Sequence, residues 1–172
     1  FPPKEQSCII ERTREVLSRY LELEEILGLK KIFEHPVPNS KINSPEDIEG
    51  IAHKIREKWK LGNGPIINVA ELLEENNIKV LELDTKEGFD GMQTWINEKD
   101  IPVIVLNVGK LKSNDRKRFT AFHELGHLLL PLEGIDEKLA ERYCHRFAGA
   151  MLFPKEAIIN ELGNKRSKIS IQ

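Results

Sequence analysis

A chain of 172 residues, 40% hydrophobic and 31% charged, is long enough to bury a sizeable core and reads as one globular unit, or one domain with a helical appendage. Its 26 basic and 28 acidic residues leave a net charge of −2, which excludes an overall electrostatic footprint for nucleic acid or an anionic membrane. Cys8 and Cys144 stand far apart, against a disulfide-stapled secreted fold and for a reducing, cytoplasmic compartment, and no apolar run reaches membrane-spanning length.

The opening "FPPKEQ" has no signal-peptide character, and a start on Phe rather than Met reads as a fragment or trimmed product. Residues 4–28 set Ile9, Ile10, Leu17, Tyr20, Leu21 and Leu27 against a charged face, an amphipathic helix that Gly28 closes. "KKIFEHPVPNSKIN" follows as a surface linker with two prolines and no period. Ser44-Pro45-Glu46-Asp47 is a helix start, with a capping serine, proline at the first position and acids on the positive end of the dipole. That helix runs to "LGNG", and a shorter one, "VAELLEEN", comes next.

Three β-type runs follow at 78–84, 91–97 and 101–107, then helices over about 115–130 and 136–151 and a helical stretch to about 162. The expected fold class is α+β, with helices packed on a small, mostly antiparallel three-stranded sheet. The expected division is an N-terminal helix and linker over 1–43 and one main domain over 44–172.

The stretch "RFTAFHELGHLLLP" carries the chemistry. At 100° per residue, Thr120, His123, Glu124 and His127 share one stripe, while Phe119, Ala121, Phe122, Leu125, Leu128, Leu129 and Leu130 bury most of the remainder. Burying two imidazoles and a carboxylate without partners is costly, and a metal ion answers the cost for all three. His123 and His127, one turn apart, can place two ring nitrogens on one ion; Glu124 points off that axis as a general base. This is H-E-x-x-H, for which zinc is the usual occupant. Gly126, between the histidines, is expected to admit a strand or substrate backbone.

Catalytic zinc takes three protein ligands and an open position. The metzincin pattern is excluded, because Glu133 stands where it needs His and Leu130 where it needs Gly. On the next helix, Glu137, Glu141 and His145 recur one turn apart, and Glu141, among small residues on what reads as a buried face, is the best third ligand. Glu133 and Asp136 are weaker alternatives. His145 reads as a partner of a ligand, a competing ligand or a surface histidine.

"RFTAFHELGHLLL" followed by "ERYCHRFAGAMLFP" resembles the ImmA/IrrE family of metallopeptidases, as do the upstream segments "GFDGMQTW" and "IPVIVLN". The resemblance covers roughly residues 20–160. It implies a zincin-like, gluzincin-like fold with His123, His127 and Glu141 on zinc and Glu124 as catalytic base. It also implies cleavage of helix-turn-helix repressors in stress or mobile-element circuits. DNA contact is then expected only through an N-terminal helix-turn-helix domain that this chain lacks. The ending "RSKISIQ" is expected not to be the native C-terminus.

The expected reaction is zinc-assisted peptide hydrolysis, with residues 91–97 offering a sheet edge on which substrate could align and Asp90-Gly91 either shaping that edge or forming a plain turn. Thr120 stands on the ligand stripe, and Tyr143, Arg116 and His145 are unranked candidates for stabilising the transition state. A second reading is a transcriptional regulator whose peptidase-like domain senses a ligand or partner and cleaves nothing. A structural zinc site fits less well, since such sites are closed by four ligands. Trp59 and Trp95 read as core or interface, "DRKR" at 115–118 as a solvated basic cluster, Cys8 as inert, and His35 and His53 as surface residues.

Overall fold

The computed structural model describes residues 3–29, 32–85, 88–96 and 100–163. Helix α1 spans Pro3–Ile26, and Gly28, at φ +65°, turns the chain out of it. The Leu29 N–H reaches the Glu24 carbonyl at 2.8 Å and the Gly28 N–H that of Glu25 at 3.1 Å, the paired bonds of a Schellman ending. Helix α2 spans Pro45–Lys58. At its start the Asp47 carboxylate accepts the N–H groups of Asn43 (2.8 Å) and Ser44 (2.9 Å), which lowers its pKa. Helix α3 spans Val69–Glu75, capped by the Asn68 side chain.

Strands β1 (Lys79–Leu83), β2 (Gly91–Ile96) and β3 (Ile101–Asn107) form one sheet in the order β1-β3-β2. The β2–β3 pair is antiparallel, but β1 and β3 run parallel, so the sheet is mixed rather than mostly antiparallel. The physical reason lies in β3, which is the central strand. Val103 and Val105 pack on one side of it, while Ile104 and Leu106 belong to the main core on the other. A strand buried on both faces reads as a continuous apolar run, and "IPVIVLN" is such a run. Residue 97 of the second expected strand, the side chain of Cys8, and the ending "RSKISIQ" lie outside the described residues.

Helix α1 covers one face of the sheet. Ile9 and Leu17 are buried there with Phe89, Val103 and Val105, and Glu24 pairs with Lys79 of β1 at 2.6 Å. On the other face lie helices α4 (Asn114–Leu129) and α5 (Glu137–Leu152), together with α2 and α3, around Phe122, Leu125, Phe147 and Met151. Helix α6, Lys155–Leu162, follows α5 after Pro154. The chain around 32–43 is more than a surface crossing: Phe33 meets Trp95 edge to face at 5.6 Å, and His35 is half-buried, its pKa lowered by that burial.

Arg56 joins α2 to the far end of α5. It is 2% exposed and donates to the carbonyls of Gly62 (2.7 Å), Gly64 (2.7 Å) and Met151. Met at this position would keep the aliphatic stem and leave those carbonyls without a donor. Arg56→Met is therefore expected to lower stability by about 2–3 kcal/mol, read as a fall in the urea midpoint. An unchanged midpoint would show that water satisfies the carbonyls instead.

Candidate metal centre

Helix α4 begins where the Ser113 side chain accepts the Arg116 N–H at 3.2 Å, with Asp115 in the first turn. It then runs between the sheet and α5, burying Ala121, Phe122, Leu125, Leu128 and Leu129. Gly126 lets α5 come close, because a Cβ there would lie 3.2 Å from the Cα of Cys144 and 3.3 Å from its Sγ. The neighbour at Gly126 is thus a helix, where a strand or substrate backbone was expected. That close approach lays α5 alongside the polar stripe of α4.

Three donor groups meet across the α4–α5 contact. The Nε2 atoms of His123 and His127 are 3.2 Å apart, and the Glu141 carboxylate lies 3.2 Å from the first and 3.1 Å from the second. Among the described residues, these three form the group of His, Cys, Asp and Glu side chains able to hold one ion. Burial and the neighbouring His127 and His145 push His123 down to about 4, so its ring is neutral at pH 7, as a metal ligand must be. Two ring nitrogens and a carboxylate facing one point make a donor set suited to a divalent cation. Zinc with bonds of about 2.0–2.1 Å in tetrahedral array needs donors roughly 3.3–3.4 Å apart, so the donor set and its spacing fit with small adjustment. Glu141 does not sit on a buried face as its small neighbours suggested: its side chain is 48% exposed, opening the centre to solvent.

Glu124, by contrast, is 8% exposed. Burial, then the Glu141 charge, raises its pKa to about 7. It rests against the first residue of β2. A Cβ on Gly91 would stand 2.6 Å from Thr120 Cγ2 and 3.0 Å from both Cγ and Oε1 of Glu124. Around Gly91 the strand is held down: Asp90 pairs with Arg116 of α4 at 2.5 Å and Lys110 at 3.8 Å, and its carbonyl accepts the Asn107 N–H at 2.9 Å.

The other candidates fall differently. His145 is exposed yet lies against the site, its ring 4.5 Å from that of His123 and stacked on Phe119 at 5.6 Å. Tyr143 packs on the main core, two residues around the helix from Glu141. Arg116 is engaged with Asp90, and Thr120 touches the Gly91 position. Asp136 caps α5, accepting from Lys138 and Leu139, and Glu133 is exposed in the loop. The "DRKR" cluster is tied down: Lys117 faces Glu82 at 3.5 Å, and Arg118 pairs with Asp115 at 2.7 Å. His53 is a surface residue beside Glu57. Cys144, fully buried, has its thiol pushed up to about 12, principally by burial, and is inert as a nucleophile.

From sequence alone Asp90-Gly91 is compatible with an edge-shaping pair and with a plain turn. The pair's contact with α4 had no signal in spacing, because it is made across the fold.

Among the described residues, no helix is long and apolar enough to cross a membrane. No curated protein matches the chain. The model of one peptidase family, M78, described as the IrrE N-terminal-like domain, matches residues 73–171, more than half of the chain.

Proposed function

The chain belongs to the IrrE N-terminal-like peptidase family, and from that premise we propose that it is a zinc-dependent endopeptidase of the cytoplasm that cleaves a helix-turn-helix repressor in a stress or mobile-element circuit. The observation that carries the chemistry is the convergence of His123, His127 and Glu141 within 4.8 Å, with the buried Glu124 beside them.

His123, His127 and Glu141 would hold the ion. Zinc, when bound, supplies a Lewis acid that makes water a nucleophile near neutral pH and polarises the scissile carbonyl. Glu124 takes the proton of the attacking water and passes it to the leaving amine, so one carboxylate serves first as base and then as acid. The ring of His145 against His123 limits how the ligand can turn. β2 is an edge strand and begins beside Glu124, so a substrate segment added along its free edge would bring a peptide bond to the base.

The reading is tested by incubating the zinc-loaded protein with repressors encoded beside its gene. Defined fragments are expected, lost with 1,10-phenanthroline and restored by added zinc. Protein purified without stoichiometric metal, and unable to take it up, would sink the assignment.

A further inference from the structure

We propose that Gly91 is a positioning residue of the reaction: its bare α-carbon is the seat that fixes Glu124 against the metal triad. The inference rests on the peptidase reading above, in which Glu124 is the base.

A side chain at Gly91 would need space that is already filled. Thr120 Cγ2, at 2.6 Å from a Cβ there, is nearer than real Cβ contacts come, and Cγ and Oε1 of Glu124, at 3.0 Å, are at the tight limit. Something must move. The strand resists, because it is laddered to β3 with Gly91 opposite Leu106, and Asp90 is clamped to Arg116 and to the Asn107 N–H. Thr120 resists as well: it is buried on α4 and β-branched, so its rotamers are few. The 2.6 Å contact still forces a small shift of the strand or of Thr120, and the flexible end of Glu124, already at 3.0 Å, gives most readily with it; that end is the atom group that handles the proton. None of the three ligand side chains is among the three nearest atoms, so the first strain falls on Thr120 and Glu124.

The prediction is a separation of metal binding from chemistry. Gly91→Ala should bind zinc with wild-type stoichiometry and affinity, and keep KM within about threefold, while kcat falls about 10²-fold, the cost expected of a misplacement near 1 Å. Removing the Thr120 methyl should relieve the tightest contact, so Gly91→Ala/Thr120→Ser should recover about tenfold of the lost kcat. A second measurement is independent of substrate. Acetohydroxamate binds a zinc ion while its own proton is held by the neighbouring base, so its Kd on the zinc-loaded protein should weaken about tenfold in Gly91→Ala and be restored in the double variant.

Cleavage is read on quenched fluorescent peptides of mixed sequence, and folding by thermal unfolding of each variant. Wild-type kcat in Gly91→Ala overturns the proposal while leaving the peptidase reading intact. Loss of zinc or of the folded state in step with kcat also overturns it, since Gly91 would then be merely structural. Wild-type protein that takes up zinc but neither cleaves the peptides nor binds acetohydroxamate overturns the peptidase reading, and this inference with it.

Discussion

Glu124→Gln should bind zinc as wild type does and lose at least about 10³-fold in kcat, within the 10²–10⁴-fold range typical of general acid–base catalysis. Glutamine keeps the volume and the hydrogen-bonding reach of the side chain but cannot accept the proton of water. The ligands are untouched, because the ion would be held by His123, His127 and Glu141. The exchange also removes a carboxylate that is 8% exposed and lies beside a second one, so the folded state should not suffer. Zinc stoichiometry, peptide cleavage and thermal unfolding of the purified variant check the three parts. Retained cleavage would remove Glu124 from the mechanism. A variant that cleaves nothing yet regulates transcription as well as wild type in cells would make the protein a sensor, and the peptidase architecture a scaffold.

What could be read from the sequence divides by the range of the interaction. His123, Glu124 and His127 lie on one helix, where 3.6 residues per turn fixes which side chains share a stripe. Their spacing alone therefore brings two imidazoles to one point. Glu141 lies on the next helix, and its rotation about α5 was legible only through neighbours. Those neighbours gave the correct approach, since Cys144 and Ala148 are fully buried, and the wrong degree of burial, since Glu141 stands at the open side of the contact. Gly126 was legible as a place of close approach, but not as to which element would come near. The β1–β3 pairing was missed for a similar reason. A short strand does not say whether its partner is the next strand in the chain or the one after. Here β3 accepts both, and only its unbroken apolar character marked it as central. Gly91 lay furthest from view, because its role depends on two α4 side chains meeting a strand that begins well before them in the sequence.

Glu141→Ala should lower zinc affinity more than 100-fold and abolish the rise in melting temperature that zinc gives the wild-type protein. Loss of a group that merely orients a ligand costs 10–100-fold in affinity, and removing a ligand should exceed that. In the wild type, free zinc at a thousand times Kd would add about 4 kcal/mol to stability through binding the native state alone. The variant is a clean probe because of where Glu141 sits. Its side chain is half exposed, while α5 is held by Cys144, Phe147, Ala148 and Met151, so the metal-free fold should be little changed. His145→Ala supplies the comparison. That ring touches His123 without joining the cluster of donors, and its loss should weaken zinc by less than the loss of Glu141. Titration of the metal-free proteins with zinc under competition from a chelator measures all three affinities. Wild-type affinity in Glu141→Ala would place the third ligand elsewhere. Asp136 is engaged in capping α5, and Glu133 would have to reach the histidines from an exposed loop. His145 would then be the group to change next, for its ring already lies 4.5 Å from that of His123.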